Sequence, residues 1–147
     1  PGEILDLMVV NTNTLNAHPE LGKALVGAWY ETLALMSRRG NEGKAAKAAM
    51  AKLAGCTPQE FDGQLATTAM YWKPKDAADY AESKELKKTM DLVRRFCFDH
   101  GLLGKGAKNA DVVGIKYPDG SVVGDSNNVT VIYDSTFVRK AQEELEK

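Results

Sequence analysis

Residues 16–36, NAHPELGKALVGAWYETLALM, hold the longest unbroken helical apolar period in the chain. Leu21, Ala24, Leu25, Ala28, Trp29, Leu33 and Met36 recur at steps of three or four, which gathers them on one helical face. That face is expected to reach a core while Lys23, Glu31 and Thr32 stay in water. Pro19 suits a first-turn position and Glu20 favours the positive helix end, so the helix is expected to start near Asn16 or His18. Gly22 and Gly27 each cost about 1 kcal/mol relative to alanine in an exposed helix, a cost a closely packed neighbour would offset. The stop is expected at residues 38–40, where Gly40 can adopt a left-handed cap.

Before this helix, residues 4–10 read as a short buried strand interrupted only by Asp6. Residues 11–14, Asn-Thr-Asn-Thr, form a polar turn, and such residues bond readily to nearby backbone. Strand, polar loop and helix in that order is the layout in which open α/β sheets place ligand contacts. A plain connecting loop with a helix cap is the simpler reading of the same residues. Downstream, Asn41 is expected to cap an alanine- and lysine-rich helix reaching Leu53. Thr57-Pro58-Gln59-Glu60 is a capping box with proline at the first helical position. The cluster Ala69-Met70-Tyr71-Trp72 offers aromatic faces with polar tips, as a packing corner or a ligand wall. Pro74 opens a short helix. Ser83 caps a longer one whose face carries Leu86, Met90, Val93 and Cys97, widened by Phe96, and Gly101 is its expected stop.

From Val112 the pattern changes. Pro118-Asp119-Gly120 separates two strand-type runs, which predicts a turn, and residues 128–133 alternate as a further strand. Ser135 or Thr136 can cap a last amphipathic helix. The chain thus reads as one domain over residues 1–147: α+β, mainly helical, with five to six helices, a short N-terminal strand and a C-terminal hairpin or small sheet.

The 147 residues suffice for one real core. A formal net charge of −1 with no long basic run gives no reason to expect nucleic acid or an anionic membrane. No apolar stretch approaches the roughly 20 residues that span a bilayer. Residues 1–10 lack the basic region, apolar stretch and cleavage site of a secretory leader. Cys56 and Cys97 lack the paired spacing of a zinc or redox site; a bridge between them is open in an oxidising compartment.

The chain carries no complete catalytic signature. The run 101–106, GLLGKG, lacks the spacing of a phosphate loop, and no nucleophile elbow is present. Asp91, Asp99, Asp111 and Asp119 supply carboxylates without a spacing that pairs them. Asp119 and Asp125 lack the pattern of a calcium loop. His18 and His100 have no evident catalytic partner. No catalytic residue, metal or cofactor is expected.

Three blocks carry a resemblance. Residues 9–36, VVNTNTLNAHPELGKALVGAWYETLALM, resemble the later part of substrate-binding proteins of ABC transporters. The similar group takes up nitrate, taurine, aliphatic sulfonates and urea-type solutes. Residues 83–120 and 125–141 are similar to later segments of that family, in the expected order. The resemblance implies a partial periplasmic-binding-protein-like lobe, the C-terminal portion of a larger two-lobed protein. It implies an extracytoplasmic binder, not a catalyst, that captures a small polar solute and hands it to an ABC permease. Lobe closure around the ligand would select the transport-competent state. Asn11, Thr12, Thr67, Thr68, Tyr71 and Trp72 are the ligand-binding candidates. An exposed lobe surface could also promote self-association or serve a stand-alone interaction domain.

Overall fold

A computed structural model describes residues 4–145. Among them lie seven α-helices: α1 (Thr12–Ala17), α2 (Pro19–Met36), α3 (Asn41–Leu53), α4 (Pro58–Thr67), α5 (Pro74–Ala81), α6 (Lys84–Asp99) and α7 (Thr136–Leu145). A 3-10 turn, Ala110–Val112, leads into strands β1 (Gly114–Lys116), β2 (Val122–Val123) and β3 (Val129–Ile132). The fold is mainly helical α+β, with one small mixed sheet near the C-terminus.

Local chemistry fixes most helix ends. Thr57 and Glu60 complete the capping box of α4 in both directions. The Ser83 hydroxyl accepts the N–H of Leu86 at 3.0 Å and starts α6. Gly101, with φ of 69°, follows its end. Two boundaries differ from expectation. α2 ends at Met36, and Gly40, with φ of 88°, serves as the N-cap of α3 in place of Asn41, so α3 has no capping side chain. For α7, the Asp134 carboxylate takes the N–H of Thr136 at 2.7 Å, a role expected of Ser135 or Thr136.

The strand order is β2-β1-β3, with β1 antiparallel to β2 and parallel to β3. The hairpin turns through Pro118 and Asp119, with Gly120 N–H bonded to the Tyr117 carbonyl at 2.9 Å. The Asp119 carboxylate is held by Ser121 and by Lys87 of α6, which together keep it well below the usual carboxylate range.

The expected N-terminal strand does not form. Residues 4–10 have strand-type side chains but no ladder partner, and among the described residues their backbone makes no hydrogen bond. Leu5 packs on the core, while Ile4, Leu7, Met8 and Val9 are exposed.

The main core lies between α6 and β1, where Leu86, Met90, Ile115 and Tyr117 pack together. α2 is therefore not the packing centre that its length suggests. Its buried positions are Gly22, Tyr30, Leu33 and Met36, while Ala24 and Ala28 are exposed and Trp29 is 44% exposed. The burial is rotated from the expected face because α7 docks at Gly22, a residue with no apolar signal. Phe137 lies so close that an added Cβ there would meet its ring at 2.6 Å. α7 is further fastened by Arg139, which binds Glu82 at 2.6 Å and Asp79 at 2.7 Å. On α6, Phe96 does not widen the core face as expected; it is 56% exposed and stacks on His100. Cys56 and Cys97 are both free thiols.

Candidate functional site

The α2–α3 corner borders a groove of about 540 Å³ that α4 and the following aromatic cluster help to line. Its cations are Arg38, Lys44 and Lys47, its single lining carboxylate is Asp62, and Met36, Leu65, Ala66 and Trp72 supply apolar wall. Arg38 pairs with Glu42 at 2.9 Å and Lys47 with Asp62 at 2.6 Å. Lys44 has no ion pair among the described residues.

The backbone adds to this positive character. Because Gly40 caps α3 without a side chain, the N–H groups of Asn41, Glu42 and Gly43 find no protein acceptor among the described residues. Unfilled donors at a helix start carry partial positive charge and suit an anion. Gly43 is required by packing, since a Cβ there would lie 2.0 Å from the Arg38 carbonyl oxygen. The corner therefore sets Gly40, the side-chain-free N-cap of α3, and Lys44 along one open groove with Trp72 in its wall.

The six candidate residues do not converge on one site. Trp72 lines the groove. Thr67 and Thr68 directly follow the lining residues Leu65 and Ala66, but their hydroxyls donate to carbonyls of α4, that of Thr68 to Gln64 at 2.8 Å. Tyr71 stacks on Tyr80 with ring centroids 5.3 Å apart, and burial, aided by Tyr80 and Glu85, raises its phenol. Asn11 uses its side-chain oxygen to accept from Asn13 and Thr14, capping α1, and Thr12 is exposed at the first position of that helix. That turn sits between Val10 and Leu15, which line a separate groove of about 210 Å³ with Gly22, Ile132 and Phe137. The plain capping role thus accounts for Asn11.

Arg38, Lys44 and Lys47 were not singled out by sequence reasoning. The available signal was a glycine where a capping side chain belongs, with a lysine four residues on.

The carboxylates left unpaired in sequence have structural partners. Arg94 of α6 is 5% exposed and donates to the Ala110 carbonyl at 2.7 Å, to Asp111 at 3.0 Å and to Asp91 at 2.7 Å. Asp91 is held below the usual carboxylate range, chiefly by that bond from Arg94. These contacts tie α6 to the loop before β1 and are architectural. Among the described residues no group of three or more His, Cys, Asp or Glu side chains could hold a metal ion, and no helix is long and apolar enough to cross a membrane. No family model matches the chain, and no curated protein or solved structure matches it.

Proposed function

We propose that the chain is the solute-binding portion of an ABC importer, working outside the cytoplasm as a binder and not a catalyst. It takes a small polar solute in the α2–α3 groove for delivery to a membrane permease. The observation that carries this reading is that Lys44, which has no ion pair among the described residues, and Gly40, the side-chain-free N-cap of α3, line one groove with Trp72. Such a site favours a compact anion, nitrate or a small sulfonate, over a neutral urea derivative. Charge-assisted bonds supply the affinity, and the ring supplies an apolar wall. The resemblance of residues 9–36, 83–120 and 125–141 to the binding-protein family supports the transport role.

The test is a thermal-shift and native-mass series with nitrate, ethanesulfonate, taurine and urea. Nitrate or the sulfonate should raise the melting temperature and appear as bound mass. Lys44→Gln should weaken that binding by about 10- to 100-fold, the equivalent of losing one charge-assisted bond of roughly 1.5–3 kcal/mol. Binding that is indifferent to Lys44→Gln and Trp72→Ala, or no binding of any of the four, would sink the reading. A second reading, a stand-alone interaction domain, draws on the many large apolar side chains left in water, among them Leu53, Leu92, Phe96 and Leu102. Absence of solute binding would bring it forward.

A further inference from the structure

The cations of the α2–α3 groove are not equally available. Arg38 is held by Glu42 at 2.9 Å and Lys47 by Asp62 at 2.6 Å, while Lys44 has no ion pair among the described residues. Arg38, Lys44 and Lys47 set against Glu42 and Asp62 leave one net positive charge, and it rests on Lys44. The groove is thus matched to a single negative charge. An ammonium on the same solute would find no open carboxylate in the lining, because Asp62 is already taken by Lys47.

The remaining lining is apolar and too extensive for a bare anion. Met36, Leu65, Ala66 and Trp72 supply it, and Trp72 is 39% exposed, so much of its ring is open to a ligand. The groove measures about 540 Å³, within the range of sites that take a whole organic ligand. A water molecule's share of liquid volume is about 30 Å³, and nitrate takes up roughly twice that, so nitrate fills only about a tenth of the groove. A flat ring laid on the Trp72 wall would remove apolar surface from water on both partners.

We infer, on the basis of the solute-binding reading above, that the preferred solute is a monoanionic arene: one aromatic ring bearing one sulfonate or carboxylate. Lys44 donates to the acid oxygens, a charge-assisted bond that fixes one end. The ring lies along Trp72, Leu65 and Ala66. Lys44 then selects charge and Trp72 selects the body. Nitrate lacks that body, ethanesulfonate has a smaller one, and taurine carries an ammonium with no partner.

The test is titration calorimetry of the full chain with two matched pairs, benzenesulfonate against ethanesulfonate and benzoate against propionate. The arene should bind at least tenfold tighter in one pair or both, from the added apolar surface removed from water, and the pair that shows it names the acid group. Trp72→Ala should erase that advantage and leave ethanesulfonate within about twofold, Trp72→Phe should keep most of it, and Lys44→Gln should weaken every anion about tenfold or more. Trp29→Phe makes Trp72 the single tryptophan of the chain, and the arene should then shift its fluorescence; this measurement decides the matter if Trp72→Ala fails to fold. Equal affinities within both pairs, still weakened by Lys44→Gln, overturn the arene preference and leave the anion-binding reading standing. No binding of any anion removes both. An arene advantage that survives Trp72→Ala, or a Trp72 fluorescence that ignores the arene, also overturns the inference.

Discussion

Two glycines five residues apart in α2 should respond to the same substitution with opposite signs. At Gly27 an added Cβ meets nothing within 4 Å. Gly27→Ala therefore gains helix propensity and loses nothing, about 0.4–1 kcal/mol of added stability. At Gly22 the propensity gain is the same, but the new methyl would lie 2.6–2.7 Å from three carbons of the Phe137 ring. Carbon atoms sit at roughly 3.5–4.0 Å in good contact, so ring or helix must retreat by about 1 Å. Overpacking of that kind costs ~1–3 kcal/mol. The net for Gly22→Ala is a loss of about 1 kcal/mol, which puts the two variants ~2 kcal/mol apart. At about 2–4 °C per kcal/mol for a chain near 150 residues, their melting temperatures should differ by roughly 4–8 °C, with wild type between them. Thermal and urea unfolding of both proteins measures this. Repeating it in a Phe137→Ala background should turn Gly22→Ala from harmful to helpful. If Gly22→Ala melts as high as Gly27→Ala with Phe137 in place, α7 does not pack on α2 as described.

Two further perturbations probe the α6 core. Arg94→Met should lower stability by about 2–3 kcal/mol, read from the urea midpoint. Breaking a buried pair costs roughly 3–5 kcal/mol, but the Asp91 and Asp111 side chains are 30% and 68% exposed and can rehydrate. A change under about 0.5 kcal/mol, the range of an ordinary surface substitution, would remove Arg94 as the tie between α6 and the loop. Burial, aided by Tyr133, pushes the Tyr117 phenol up to about 12. The unfolded chain releases that proton near pH 10 and the folded chain holds it, so the unfolded state binds fewer protons between the two values. Stability is full below pH 10 and should fall as pH rises towards 12. Burial also raises Tyr30 and Tyr133, which steepens the fall. Tyr117→Phe should flatten that limb in an alkaline unfolding series; an unchanged limb would acquit Tyr117.

What could be read from sequence was what short-range chemistry decides. The Thr57–Glu60 box, the Ser83 cap, the Gly101 stop and the Pro118–Gly120 turn each depend on side chains and backbone within a few residues, and each stands where expected. The failures share a different cause. Residues 4–10 have strand composition, but a strand exists only where another strand offers a ladder, and composition does not supply the partner. The buried face of α2 was only partly placed: Leu33 and Met36 are buried as expected and a neighbour does pack closely at Gly22, but apolar counting does not show that Phe137 turns the buried side away from Ala24, Ala28 and Trp29. The groove escaped notice because Arg38, Lys44 and Lys47 become neighbours of Trp72 only after α2, α3 and α4 have packed. Thr67 and Thr68 resembled ligand donors, yet hydroxyls near a helix end readily bond back to its own carbonyls.

The docking of α7 also sets an order of events. Lys23 meets Glu144 across 121 positions of chain, and Arg139 reaches Glu82 across 57. During synthesis, α2 emerges long before the helix that covers Gly22 exists. Its flank at Gly22, Leu25 and Val26 must then wait in contact with water, or with whatever shields nascent apolar surface. The α6–β1 core and its hairpin close over shorter distances and can assemble first. Folding should therefore finish with the capture of α7, and a released chain that ends before residue 136 would form its sheet while the Gly22 side of its longest helix stays uncovered.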